Sequence, residues 1–374
     1  MNRVAAAPAP RRFGGTFTAT ATVVALAVVP VVVAVLFLGV HYEGDTLAFD
    51  LRGAYLPAAE AIADGESPYP ELHDPRLAAE RAYVYPPLLA VALTPATLLS
   101  ENAASVLAAL VSLALVFGML YLLGLRDWRC YGAAILWAPS LIGAQTASAS
   151  LLVAFLVALA WIYRERPAPF AASLGLAIAV KLFVWPLLAW SLAMGRLRAA
   201  VAAALAAAVA ILLPWAVLGF EDLTRYPSIL ERLAEVVAKE SYSVVAVAAA
   251  VGLPEIVGQV LAVLIGVALL VVCAVHGRRG DDLRAFTAAL AAALAFTPVA
   301  WEHYLMLLLV PLALARPRFS PLWLLPIGLW LAKGEDNGEP IQTVLPFLVA
   351  AIMVAALLAR PGPRFRAIPA AARP

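Results

Sequence analysis

The chain has 374 residues, 64% hydrophobic and only 13% charged, with a mean hydropathy of +0.91. A soluble domain carries roughly a quarter charged residues, so this composition predicts an integral membrane protein and excludes an ordinary soluble enzyme. The net charge of +2 is spread without a basic stripe, which argues against a nucleic-acid partner.

Phe17 to Val40 supplies the roughly 20 apolar residues that a membrane-spanning helix needs. Arg3, Arg11 and Arg12 precede it, but the run exceeds the roughly 7 to 15 residues of a signal peptide, so it reads as an uncleaved first span. A first long loop, 41–85, follows and holds nine of the 24 acidic residues. Within it Leu51, Tyr55, Ala59 and Ile62 recur at helical spacing, Pro57 suits a helix start, and GESPYP with Gly65 and Pro68 ends the pattern.

Further apolar segments occupy 86–99, 102–124, 130–145, 147–163, 168–193 and 198–219. A second loop, 220–242, carries five more acids and places Tyr226, Ile229, Leu230, Leu233 and Val237 on one helical face, with Glu231, Arg232, Glu235 and Lys239 between them. This predicts a helix lying in the membrane interface, although a covering linker helix has the same pattern. Segments 254–275, 285–300, 303–315, 320–332 and 341–359 complete the chain before a basic tail, 360–374. The expectation is an all-α polytopic bundle of about twelve transmembrane helices, with amphipathic helices in two outer loops.

Basic connections favour the cytoplasmic side. With the N-terminus inside, span counting puts 277–284, 316–318 and the tail inside, and 41–85, 220–242 and 333–340 outside. RDWR (126–129) and RERP (164–167) then fall outside. Two adjustments bring them in: 86–99 dips in and returns, and 168–193 breaks into a hairpin near Lys181.

Phosphate-loop, HExxH and GxSxG patterns are missing. The four histidines, 41, 73, 276 and 303, are scattered, and Cys130 and Cys273 lack metal or disulfide spacing, so no metal site and no cofactor is expected. Three acids, Glu43, Asp45 and Asp50, stand at the start of the first loop. Each reads either as a solvated charge or as a general base at the membrane surface. Lys181 is the strongest anomaly, an ammonium inside LGLAIAVKLFVWPLL, where a central position costs about 2.5–3.5 kcal/mol. It either snorkels to a helix end or meets an anion. Trp301, Glu302, His303 and Tyr304 follow Pro298, where the aromatics serve as interfacial anchors or as a sugar-binding surface with polar groups at its rim.

FDLRGAYLPAAEAIADGESPY (49–69), YVYPPLLAVALTP (83–95), GAQTASASLLVAFLVALA (143–160), LGLAIAVKLFVWPLL (174–188) and FTPVAWEHYLMLLLVPL (296–312) together resemble glycosyltransferase family 87. That pattern runs from an Asp with a following G-x-x-x-Y, through Tyr-Pro-Pro, a Gly-x-Asn/Gln turn and a Lys before Pro, to Ser-Pro-x-Ser-Trp-x-His. Here Pro186 follows Lys181 by five residues instead of three, and Thr297 and Ala300 replace the serines.

The resemblance implies a GT-C bundle with an outer-face active site, and a polyprenyl-phosphate-mannose donor used to glycosylate a glycolipid or glycan acceptor. It singles out Asp50 as the base, with Asp45 its nearest rival. His303 and Glu302 are then expected at the substrate, Lys181 or Arg52 at the phosphate, and Tyr55, Tyr69, Tyr85 and Trp301 as walls of the sugar pocket. A transporter or flippase predicts ionisable residues in several helices, and only Lys181 qualifies. A noncatalytic membrane subunit is a third reading.

Overall fold

The computed structural model describes residues 20–332 and 340–359, and every regular element among them is helical. The basic N-terminus, the 333–339 part of the acidic loop and the basic tail lie outside the described residues.

The first helix, α1 (Thr20–Glu43), is long and apolar enough to cross a membrane, and most of its valines are exposed. Pro30 lacks an N–H and crowds the carbonyl four residues back, so the turn at Val24–Val28 widens and Leu26 is released from regular pairing. Gly132 packs against that carbonyl: a Cβ at Gly132 would stand 1.8 Å from Leu26 O. The absence of a side chain thus lets segment Trp128–Leu136 dock on α1.

The first loop holds α2 (Leu56–Ala63), preceded by a wide turn over Leu51–Tyr55. Its apolar stripe faces inward, with Leu51, Tyr55 and Ala59 buried, as the spacing predicts. The chain then forms α3 (Glu101–Leu122), α4 (Ala138–Thr146), α5 (Ala149–Ile162) and α6 (Pro167–Val180). Between α4 and α5 it bends by 118° at Ala147, a non-glycine residue in the left-handed region. The helix α6 ends at Lys181, whose extended backbone, φ −142° and ψ 110°, interrupts the run before a short 3₁₀ turn at Leu182–Val184. The expected break at Lys181 is therefore present.

The alanine run forms α7 (Leu197–Val217), whose buried Ala199, Ala203 and Ala207 let it pack closely on α6. The second loop carries α8 (Tyr226–Val237), with Ile229 and Val237 buried and Glu231 and Glu235 exposed. The bundle closes with α9 (Glu255–Arg278), α10 (Asp282–Phe296) and α11 (Pro340–Ala359).

All twelve apolar segments recur as helical elements, but five, α1, α3, α7, α9 and α11, are individually long and apolar enough to span a membrane, or six if the bent α4–α5 pair is one span. Some of the shorter segments are apolar because they are buried inside the bundle. The α10 helix, for example, has Phe286, Leu290 and Ala292 fully enclosed. Hydropathy alone does not separate protein-facing from lipid-facing surface.

One face is stapled by charge. Arg164 and Arg196 both pair with Asp282, at 2.8 and 2.7 Å, and Arg196 also reaches Glu165. Trp190 donates to the same Asp282. Asp127 accepts from the Phe319 backbone at 2.9 Å. Segments 164–166 and 282 therefore share a face, as do 127 and 319, which agrees with the adjusted path and not with straight span counting. Asp282 and Phe296 sit at opposite ends of α10, roughly 20 Å apart at 1.5 Å per residue.

Candidate active site

At the Phe296 end of α10 lies a cavity of about 480 Å³, walled by both long loops and by the breaks in the bundle. Asp50, Tyr55, Tyr85, Lys181, Trp301, Glu302 and His303 line it. Seven of the ten residues expected from sequence thus converge from four separate segments.

The wide turn explains how Asp50 and Tyr55 cooperate. In a regular helix residues five apart point about 140° away from each other. Over Leu51–Tyr55 the turn is closed by an i→i+5 bond, Leu56 N–H to Leu51 O, so Tyr55 returns to the side of Asp50. Its hydroxyl donates to Asp50 Oδ2 at 3.3 Å and accepts from the Ala149 N–H at 3.4 Å. Ser148, the N-cap of α5, also hydrogen-bonds the Asp50 side chain. The Asp50 loop is tied down by Ala48 N–H, which donates to Gln145 O, and by the Gln145 amide, which donates to Thr46 O. The bend after α4 is thus the floor on which Asp50 stands.

Lys181 faces this group with 2% of its surface exposed. Its ammonium donates to Ser150 Oγ at 2.8 Å and lies 4.2 Å from the Tyr304 ring centre and 4.9 Å from that of Tyr85. Phe183 stacks on the far face of the arrangement, 4.6 Å from Tyr304. Lys181 is therefore held inside by aromatic faces and a hydroxyl and does not snorkel to a helix end.

Burial raises the Asp50 carboxyl above its ordinary value of 3.8, while the Lys181 charge and the Ser148 and Tyr55 hydrogen bonds pull the other way. Asp50 is half-buried, open to water only on its cavity side. A carboxylate so placed accepts a proton more readily than one on an open surface.

His303 and Glu302 are buried at 5% and 4% exposure in a short 3₁₀ stretch, Glu302–Leu308. Gly143 on α4 provides room for His303, since a Cβ there would come within 3.3 Å of His303 Cβ and 2.2 Å of Leu151 Cδ1.

The other three expected residues stand outside the cavity. Arg52 projects from the opposite side of the wide turn and pairs with Glu101 and, at 3.5 Å, with Asp45. Asp45 is largely exposed. Tyr69 is buried behind the wall, stacked 4.9 Å from Trp215, and donates to Tyr85 O at 2.9 Å. Its contacts therefore position Tyr85.

The sequence reading missed Glu80, Glu240 and Tyr242, which line the cavity from the two loops. Glu80 sits in a polar stretch, ELHDPRLAAERAY, that carries no periodic signal. Burial, reinforced by the charges of Asp50 and Glu240, pushes the Glu80 carboxyl up to about 7. Tyr226 and Leu233 of α8, read as one face of an interfacial helix, also prove to be cavity wall.

The sequence matches glycosyltransferase family 87 over residues 83–311, well over half of the chain. The chain belongs to glycosyltransferase family 87. No curated protein and no solved structure matches it. The matched stretch of this glycosyltransferase includes Tyr85, Lys181, α8 and Trp301–Tyr304, and begins after Asp50 and Glu80. Both acids reach the cavity from outside the matched stretch, and of the two only Asp50 is expected from sequence. A membrane glycosyltransferase accounts for a polar, aromatic cavity at one end of an apolar bundle, and the transporter reading is set aside.

Proposed function

We propose that this glycosyltransferase moves a mannosyl residue from a polyprenyl-phosphate donor to a hydroxyl of a glycolipid or glycan, at the outer face of the cell membrane and with both termini cytoplasmic. In this reading the twelve apolar segments make the bundle's transmembrane passages, with the shorter ones buried among their neighbours. The observation that carries the proposal is the juxtaposition of Asp50, bound to Tyr55 and Ser148, with the buried Lys181 in a cavity that also holds Trp301 and His303.

The chemistry is a single displacement. Asp50 takes the proton of the acceptor hydroxyl as its oxygen bonds to the anomeric carbon. The bond from that carbon to the phosphate oxygen breaks, and polyprenyl monophosphate leaves with the electron pair. Lys181 offers a fixed cation to the departing phosphate, and Ser150 together with the Tyr85 and Tyr304 faces holds it there before reaction. A lysine, and not a metal ion, supplies the positive charge in this scheme. One displacement inverts the anomeric centre, so a β-linked donor yields an α-mannoside. Trp301 and Tyr85 bound the sugar, and His303 and Glu302 bind its hydroxyls or the phosphate.

The test is transfer of labelled mannose by purified protein in lipid nanodiscs, from polyprenyl-phosphate-mannose to membrane glycolipids. Transfer from a sugar nucleotide instead, or retention of the donor's anomeric configuration, defeats the scheme.

A further inference from the structure

The cavity wall includes residues that the displacement above does not use. Glu80 comes from the first loop and Tyr242 from the second, and both line the wall. The Tyr242 ring hydroxyl lies within electrostatic reach of Glu302 and Glu80, and Glu80 within reach of Asp50, so one continuous space joins them. Tyr242 is fixed there by its own N–H, which donates to Ala300 O at 2.7 Å, next to Trp301.

Glu80 is unusual on three counts. Its backbone has φ +57°, a left-handed conformation that glycine or asparagine adopts far more easily than glutamate. It is half-buried, yet no lysine or arginine among the described residues forms an ion pair with it. The neighbouring Arg81 turns away and packs over the Phe49 ring at 5.2 Å. The charges it meets, Asp50 and Glu240, have its own sign. A half-buried carboxylate with no cation suits hydrogen-bond donors that bring no negative charge. Sugar hydroxyls meet that description, whereas a phosphate or carboxylate on the same ring is repelled.

We infer that Glu80 and Tyr242 form the acceptor subsite, which takes a neutral, polyhydroxylated sugar ring and rejects an anionic one. This rests on the glycosyltransferase reading above. It assigns the donor phosphate to the Lys181 end and the acceptor ring to the Glu80 end, with Asp50 between them. Glu80 is then a specificity-determining residue, and Tyr242 offers a ring edge and a hydroxyl to the same sugar.

The test uses the full chain in nanodiscs. Binding of a neutral methyl hexopyranoside and of the matching methyl hexuronoside is followed by tryptophan fluorescence, since Trp301 borders the subsite. At about pH 8.5, above the raised value of about 7 at which Glu80 ionises, the wild type is expected to prefer the neutral ring by ~10-fold or more, the effect of one hydrogen bond to a charged group. Glu80→Gln, which keeps the shape and loses the charge, is expected to bring the ratio near one. Glu80→Asp is expected to keep the preference with weaker binding. An unchanged ratio in Glu80→Gln overturns the inference. So does Glu80→Gln raising the KM for donor as much as that for acceptor in the transfer assay. If sugar binds with the expected Glu80-dependent preference while mannose is not transferred from the lipid donor, the subsite stands and the proposed donor reaction fails.

Discussion

Replacing Asp50 by Asn removes a proton acceptor while leaving a side chain of the same shape, able to receive the Tyr55 hydroxyl bond now made at 3.3 Å. If Asp50 is the base, the loss is that of general-base catalysis, ~10²- to 10⁴-fold in kcat, or about 3–5 kcal/mol at 1.36 kcal/mol per decade. Little change in donor KM is expected, because Lys181, the proposed partner of the phosphate, is untouched. The substitution also leaves the Lys181 ammonium, 2% exposed, without its opposing charge. The folded state therefore loses stability, and Asp50→Asn combined with Lys181→Met recovers part of it, a coupling of the size seen for contacting groups, about 0.5–3 kcal/mol.

The pH profile gives an independent reading. Asp50 has its carboxyl raised by burial, so the active base form is lost on acidification at a higher pH than an exposed aspartate would allow. Activity falls as pH drops through that raised value, and this acid limb is expected to vanish from the residual activity of Asp50→Asn. The assay is initial-rate transfer of labelled sugar at saturating donor and acceptor across pH 4 to 9. Activity within about threefold of wild type in a folded Asp50→Asn protein, with the acid limb unchanged, refutes the assignment.

Three further outcomes are expected. Gly132→Ala places a methyl group 1.8 Å from the Leu26 carbonyl, forces α1 away and costs about 1–3 kcal/mol. The resulting drop in Tm is read by a thiol-reactive dye, because Cys130 and Cys273 are buried until the protein unfolds. Asp282→Ala leaves the half-buried Arg164 and Arg196 without their shared carboxylate and lowers stability by about 3 kcal/mol in the same assay, while the activity of the folded fraction is retained. Gly143→Ala pushes on Leu151 and His303, and a displacement of order 1 Å at the site is expected to lower kcat up to ~10²-fold without a comparable loss of Tm.

Much of the site is legible in the sequence because a polar group is conspicuous in a chain this apolar. Lys181 inside an apolar run and Glu302–His303 after Pro298 both declare themselves by cost, since burying them needs a purpose. The helices of both loops follow from spacing alone. What does not follow is direction. Asp50 and Arg52 point to opposite sides of any helical turn, but in a regular helix Tyr55 would side with Arg52, and only the wide turn at Leu51–Tyr55, which no periodicity announces, places it with Asp50 in the cavity. Glu80 and Tyr242 are ordinary polar-loop residues until two distant loops meet, a tertiary event with no local signature. The number of spans is illegible for a related reason. The Ala-rich α10, wrapped by protein, reads in sequence like a helix wrapped by lipid.

The dispersed origin of the cavity wall bears on how the protein is made. Asp50 leaves the ribosome early and Trp301–Tyr304 late, so at ~5–20 residues per second the pocket waits on the order of 10 to 50 s for its last wall. Until then the nascent chain carries Lys181 without its Tyr304 face and Asp50 in a half-built loop. Biogenesis is therefore the stage at which a folding helper has most to shield. A chain cut before residue 296 is a bundle without a closed cavity, however well its helices insert.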